Sequence, residues 1–353
     1  MAKPAWASAM GRDGAGLYAE VPWLGQRQRL DWRAPEGGKG GWIGAGPLGW
    51  DEYGLYADLT IDNATQRFRW IEPGSFLMGS PDDEPERFGD ETQHPVTLTQ
   101  GYWLADTACT QALWQALMRE DPSRFSDDPD NPVETVSWKD AQAFVTKLNA
   151  AVPGLNACLP TEAQWEYACR AGTQTPFAFG GNITPEQVNY DGRYPYAGGE
   201  KRLYRKKNVP VRALPCNAWG LYQMHGNVWE WCGDWFGEYP AGEAIDPTAP
   251  EHAQSRVLRG GSWFNRGGFV RSAYRRRHTP DDCYGHFGFR LALGPQAGRQ
   301  ATEPAGASGR TAARSAAVGP DAPVGEAGDF SGKAGDEGVA GGLLARIKKL
   351  VKP

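Results

Sequence analysis

Six cysteines, Cys109, Cys158, Cys169, Cys216, Cys232 and Cys283, lie scattered along the chain with no CxxC pair and no zinc-type spacing. Dithiol redox chemistry and structural zinc both need paired thiols, so neither is written in the pattern. Five histidines, His94, His225, His252, His278 and His286, show no HxxxH spacing, and His94 and His225 read as structural. The densest chemistry lies in one stretch, Phe264 to Phe287, FNRGGFVRSAYRRRHTPDDCYGHF. Aromatic and arginine anchors set among small, adaptable residues are the composition of a recognition surface. Between Phe264 and Phe287 there is no Lys, Glu, Gln, Trp or Met. The cluster Arg271, Arg275, Arg276 and Arg277 reads as serving internal ion pairs or an acidic protein or carbohydrate partner. Trp219, Trp229, Trp231 and Trp235 read as core packing, since an indole buries a large area and needs one hydrogen-bond partner.

The elements that position these residues can be read from the bulk numbers and the periodicity. With 353 residues the chain can bury a real core as one large domain or two ordinary ones. Fifteen tryptophans exclude a disordered chain, and 46 glycines with 27 prolines favour a loop-rich fold over a helical bundle. A formal net charge of -5 argues against general nucleic-acid binding. No apolar run reaches the roughly 20 residues of a transmembrane segment, and the first residues, MAKPAWASAMGRDG, lack a secretory apolar region. Scattered free thiols without an export signal imply a cytoplasmic location.

Gly16-Leu17-Tyr18-Ala19-Glu20 recurs as Gly54-Leu55-Tyr56-Ala57-Asp58, so residues 1–65 read as a strand-rich extension, an edge hairpin packed on the main domain. Strands are expected at Phe68–Ile71, Phe76–Gly79, His94–Leu98 and Tyr102–Leu104. Thr110, Ser137 and Thr161 read as N-caps of helices, the last with a capping box to Gln164 and an end at Gly172. Residues 294–342 have the composition of a disordered linker. Residues 343–353 form a short basic amphipathic tail that could dock to a partner or a membrane surface.

Several motifs carry a family resemblance. Phe76-Leu77-Met78-Gly79-Ser80, Asn131-Pro132-Val133, Leu159-Pro160-Thr161-Glu162-Ala163-Gln164-Trp165-Glu166-Tyr167-Ala168 and Asn217-Ala218-Trp219-Gly220-Leu221-Tyr222 come first. His225-Gly226-Asn227-Val228-Trp229-Glu230-Trp231, Arg259-Gly260-Gly261-Ser262-Trp263 and Gly288-Phe289-Arg290-Leu291 follow. In this order, over residues 66–293, they resemble the formylglycine-generating-enzyme (sulfatase-modifying-factor) family. The resemblance implies an α+β fold of the C-type-lectin-like kind, loop-rich, with short antiparallel sheets and about three helices.

The family's oxidases hold copper with two cysteines after the Gly-Gly-Ser motif, because soft thiolates select Cu(I). The matching positions here are Asn265 and Val270, and Cys283 is a lone thiol outside the motif. No copper is expected, and the absent His-rich motif gives no reason to expect iron. A formylglycine-generating-type or related metal-dependent oxidase acting on thiols stays the alternative function. The resemblance also implies structural calcium. Gln223, the Gly226 and Val228 carbonyls and the Glu230 side chain match one site, and Asn189 with the Tyr190 carbonyl match part of another. A Glu230 merely hydrogen-bonded in the core is the competing reading.

The framed segment is also similar to the variable region of diversity-generating retroelement proteins. Those regions randomise adenines of Asn codons, which never yields Lys, Glu, Gln, Trp or Met. By match to that pattern the variable positions are Phe264, Asn265, Arg266, Gly267, Phe269, Tyr274, Arg276, His278, Asp282, Cys283, Tyr284, Gly285 and His286. Val270, Arg271, Ser272 and Ala273 match its fixed scaffold. The expected function is a non-catalytic binder of a protein or carbohydrate through the 264–287 loop; an undiversified binder remains open beside it.

Overall fold

Each helix begins where a side chain replaces the acceptor that the first backbone N–H groups lack. Thr110 caps α1 (Gln111–Met118) by accepting from the Leu113 N–H. Ser137 and Asp140 form a complete capping box at α2 (Trp138–Ala151), as do Thr161 and Gln164 at α3 (Glu162–Arg170). α3 closes at the expected place: Ala171 is the C-cap, at φ 46°, and Gly172 follows in the left-handed region at φ 89°. In this computed structural model the described residues are 7–13, 16–24, 26–33, 41–44, 47–248 and 253–294. The expected linker and tail beyond residue 294 lie outside them.

The strands, in chain order, begin with β1 (Ala9–Asp13), β2 (Gly16–Trp23), β3 (Gln26–Arg33) and β4 (Gly41–Gly44). Next come β5 (Leu48–Asp51), β6 (Gly54–Ile61), β7 (Ala64–Ile71), β8 (Gly74–Met78), β9 (His94–Leu98) and β10 (Tyr102–Ala105). After the helical segment follow β11 (Ala157–Cys158), β12 (Trp229–Trp235), β13 (Ala244–Ile245), β14 (Arg256–Arg259), β15 (Arg275–His278), β16 (Phe287–Phe289) and β17 (Ala292–Leu293). They form four sheets, ordered β1-β2-β3-β4, β11-β17-β10-β7-β6-β5, β15-β14-β12-β16 and β13-β9-β8. The β12–β16 and β13–β9 pairs are parallel, and the others are antiparallel.

The short repeat seen in the sequence is the visible part of a longer duplication. Gly11 faces Tyr18 across β1–β2 as Gly49 faces Tyr56 across β5–β6. In both places the tyrosine ring lies flat over the glycine, where a Cβ would sit 2.6 Å or less from it. Each tyrosine ring is covered by a guanidinium, Arg29 at 4.2 Å over Tyr18 and Arg67 at 3.6 Å over Tyr56. The hairpin turns match too, with Leu24 and Asp62 both at φ 51°. Even the next strand is copied: Trp32 pairs with Trp42 where Trp70 pairs with Trp103.

The expected edge hairpin is therefore a complete four-stranded sheet. The second copy belongs to the central sheet, and a boundary at residue 65 falls inside β7, because β6 and β7 are one hairpin. Both copies share one core: Ala19, Val21, Trp23 and Leu30 are buried with Phe68 and Trp103, and the Trp23 ring lies 5.2 Å from that of Trp103. All six cysteines are free thiols. Among the described residues no helix is long and apolar enough to cross a membrane.

Candidate functional site

β14, which leads into the Phe264–Phe287 segment, and β16, which begins at its last residue, both pair with β12 and so hold the two ends on one sheet, while β15 within the segment pairs with β14. Between those ends the backbone is gripped from below by side chains that never reach solvent. Arg259, fully buried, donates to the carbonyls of Ser272 (2.8 Å), Ala273 (2.9 Å) and Tyr274 (2.6 Å), and pairs with Glu166. Arg271, also fully buried, donates to Glu84 (2.6 Å), Glu91 (2.7 and 2.8 Å) and the carbonyls of Glu86 and Gly268. Arg275 makes a two-pronged pair with Glu162 at 2.6 and 2.8 Å. Leaving a buried guanidinium without counter-charge is costly, and each of these three is held by carboxylates and carbonyls together, although Arg259 Nε itself has no partner among the described residues.

His225 completes the grip. Its Nδ1 donates to the Val270 carbonyl at 2.7 Å, and its Nε2 accepts from the Ala178 N–H at 3.0 Å, which assigns the neutral tautomer. Burial, opposed in part by the Val270 bond, lowers its pKa to about 4. Gly261, at φ 70°, lets the chain pass where a Cβ would lie 2.5 Å from Val270 Cγ1.

The outward side of the same segment is a run of rings in contact. Trp263 meets Phe264 edge-on at 5.7 Å, Phe264 stacks on His286 at 5.9 Å, and His286 stacks on Tyr284 at 5.7 Å. Tyr284 continues the run to His278 at 5.6 Å. His278 Nε2 accepts from Arg276 at 3.2 Å and its Nδ1 donates to Asp282 at 3.0 Å, again the neutral arrangement. Burial, with Arg276 and His278 nearby, lowers the His286 pKa to about 3. Burial would raise the Asp282 carboxyl, but the hydrogen bonds from His278 and Thr279 outweigh it and hold it below its ordinary value. The face is thus a strip of neutral rings edged by arginine.

Phe264, Arg266, Cys283 and Tyr284 are exposed, while Asn265, Phe269, Arg276, His278, Asp282, Gly285 and His286 are half-buried. Val270, Arg271, Ser272 and Ala273 have no exposure at all. Two positions depart from the expected display. Tyr274 is 8% exposed, with its ring against Phe269 (4.9 Å), Phe88 (5.2 Å) and Trp229 (5.8 Å), so it is a core residue. Gly267 is buried, and a Cβ there would meet the Tyr196 backbone nitrogen at 2.4 Å.

The sulfatase-modifying factor enzyme 1-like domain family matches residues 60–294 of this sequence. The chain belongs to this family. Over 234 residues it is 38% identical to the formylglycine-generating enzyme of Thermomonospora curvata, covering 60% of this chain and 74% of that protein. It is 38% identical over 173 residues to the Bos taurus formylglycine-generating enzyme, covering 46% of this chain and 44% of that protein. Thus the match spans less than half of the bovine relative's length. Among solved structures, Treponema denticola variable protein 1 superposes with a TM-score of 0.59 at 25% identity, over 68% of this chain and 99% of that one. PvdO from Pseudomonas aeruginosa gives 0.58 at 26%, over 67% and 97%.

Within this family fold, the residues at the copper positions do not fit a soft metal. Val270 is packed in an apolar cluster with Phe177, Tyr190 and Tyr196. Asn265 locks the turn by accepting from Ser262 N (3.0 Å) and Ser262 Oγ (2.7 Å). The Cys169 thiol lies beneath the loop, 3.7 Å from Ser272 Oγ, and burial pushes its pKa up to about 12, so it stays protonated. Cys283 is exposed.

The residues matched to calcium are divided. Asn189 Oδ1 and Gln223 Oε1 are buried oxygens with no hydrogen-bond partner among the described residues, as a hard cation would require. The Tyr190 carbonyl is taken by the Gly192 N–H, and Gly226 and Val228 are buried in the backbone beside them. Glu230, however, has one oxygen on Arg290 Nη2 (2.7 Å) and the other on Arg290 Nε (2.6 Å) and Trp165 Nε1 (2.7 Å). The carboxylate expected to carry the ion's charge is neutralised by arginine, so the set does not fit calcium around Glu230.

The sequence pattern did not reveal Arg259 as a clamp, nor Glu162 and Glu166 as its counterparts, nor Glu84 and Glu91 as those of Arg271. The one available signal was the acid-rich segment Pro81–Glu91, which has no helical or strand period and holds two buried carboxylates, Glu84 and Glu91, beneath the loop.

Proposed function

We propose that this chain is a non-catalytic recognition protein that presents the outward side chains of 264–287 on a formylglycine-generating-enzyme-type scaffold, with those side chains open to retroelement diversification. The observation that carries the reading is the partition of one segment. The stretch matching the fixed scaffold, Val270–Ala273, is fully buried and held by Arg259, Arg271 and His225. Phe264, Arg266, Cys283 and Tyr284, matching variable positions, stand in solvent on the same segment. Such a division lets the surface change while the backbone stays in place, which is what a preorganised display loop requires. The likeness to a protein named a variable protein supports the same reading.

The test has two arms. Neighbouring DNA carrying a reverse transcriptase and a near-copy of the 264–287 coding segment, differing at adenines, supports diversification, and its absence removes that part of the proposal. Purified protein given cysteine-containing peptides, with and without copper, is expected to consume no oxygen; turnover to aldehyde would reject the binder and restore the oxidase.

A further inference from the structure

The recognition face extends past the displayed loop onto two neighbouring loops. Of the seven large apolar side chains exposed among the described residues, five border this one region: Phe88 (37%), Tyr194 (57%), Leu203 (54%), Phe264 (43%) and Tyr284 (47%). Exposed apolar groups scattered singly need no explanation, but a gathering of them marks an interaction surface.

Direct bonds hold the outer members to the loop. The Phe88 ring touches Phe269 at 5.9 Å and Tyr274 at 5.2 Å. On the other side, the Tyr194 carbonyl accepts from Gly267 N at 2.9 Å, and Asp191 N donates to the Asn265 carbonyl at 2.8 Å. Leu203 is tied to the same turn through its carbonyl on Gly192 N at 3.2 Å. The two flanks are also bonded to each other, Tyr196 Oη to the Pro85 carbonyl at 2.9 Å and Ala197 N to Glu86 Oε1 at 2.9 Å. A face braced in this way loses little entropy when it is covered.

Charge selects the partner. Arg266 lies over the Phe269 ring and Arg276 donates to His278, and neither has a carboxylate partner among the described residues. Several carboxylates around the face are already engaged: Asp281 with Lys139 (2.6 Å), Asp282 with His278 (3.0 Å), Asp191 with Arg193 (2.8 Å) and Glu84 with Arg271 (2.6 Å). The strip therefore offers apolar rings and two guanidinium groups whose charge no carboxylate neutralises.

We infer that Phe88, Tyr194 and Leu203 are fixed flanks of the recognition face, and that its partner is a protein surface with an apolar centre and an acidic rim. The inference rests on the recognition reading above. Side chains that stand out over a broad face suit another protein, whereas a small ligand seeks a concavity.

The probe is a library of phage-displayed random dodecapeptides, panned on the full chain. Peptides rich in Asp or Glu with aromatic or aliphatic residues are expected, with affinity that falls as salt rises. The double variant Tyr194→Ser/Leu203→Ser should weaken the selected peptides tenfold or more, and Phe264→Ser/Tyr284→Ser should do the same, both with unchanged melting temperature. Loss in the second variant but less than a twofold change in the first overturns the flanks and leaves the loop reading standing. Loss in neither, or no enrichment over blank, overturns both. Enrichment of basic or uncharged peptides overturns the acidic partner.

Discussion

Arg271→Met removes a fully buried guanidinium while keeping most of the side-chain volume, and it isolates what holds the display loop in place. The wild-type group makes three bonds to Glu84 and Glu91 and two to backbone carbonyls. Glu91 has no exposed side chain and Glu84 only 2%, so methionine leaves two carboxylates close together without a counter-charge. Breaking one side of a buried ion pair costs about 3–5 kcal/mol, a large part of the 5–15 kcal/mol that holds an ordinary domain together. For a domain of this size about 4 kcal/mol corresponds to a fall in melting temperature of roughly 8–16 °C. Scanning calorimetry at pH 7.5 reads it directly, with Arg266→Met, an exposed neighbour, as the control expected within about 0.5 kcal/mol of wild type. The pH dependence adds a second reading. Burial already raises the Glu84 carboxyl, against the pull of Arg271. Without that pull the folded variant binds protons that its unfolded chain does not, so its stability falls as pH rises. The gap to wild type should therefore narrow on going from pH 7.5 to 5.5. A variant that melts within about 2 °C of wild type at both pH values would refute the claim that this arginine pins the loop.

Three further outcomes follow from the same geometry. His225 holds its neutral form down to about pH 4 against an ordinary value of 6.5, so between those values the unfolded chain takes up a proton that the folded one refuses. Stability should fall by up to about 3 kcal/mol as pH drops through that window. His286, lowered to about 3, acts in the same direction, while Asp106, raised to about 6 by burial, opposes it between 3.8 and 6. Urea titrations should give a shallower acid slope for His225→Gln than for wild type, and equal slopes would contradict this. Tyr284→Ser should change stability by less than about 0.5 kcal/mol and Tyr274→Ser should cost about 3 kcal/mol, read as urea midpoints; similar values for both would show that burial does not separate them. Millimolar calcium in place of EDTA should leave the melting temperature unchanged, because Glu230 is held by Arg290 and Trp165; a rise of several degrees would mean that it leaves them.

What could be read in advance was local. Thr110, Ser137 and Thr161 announce helices because a cap and its partner lie within three residues of each other. Gly172 marks the end of α3 for the same local reason, since it takes the left-handed conformation directly after the C-cap Ala171. The separation of Val270–Ala273 from its neighbours was visible as a pattern, whereas its physical cause was not. Arg259 reaches Glu166 across 93 positions and Arg271 reaches Glu84 across 187, distances at which composition and period carry no signal. Tyr274 and Gly267 failed for a related reason. Whether a loop residue faces out depends on what lies beneath it, here Trp229 and the Tyr196 backbone.

The doubled meander bears on how this chain reaches its native topology. β3 and β7 are near-equivalent templates, and β4 and β10 near-equivalent mates, each marked by a tryptophan facing a tryptophan. Synthesis from the amino terminus resolves the ambiguity by timing, since β4 is made and seated on β3 well before β10 emerges, so that the later strand finds a single vacancy. A chain diluted from denaturant has no such history: both vacancies open together, and a crossed pairing satisfies the same backbone groups.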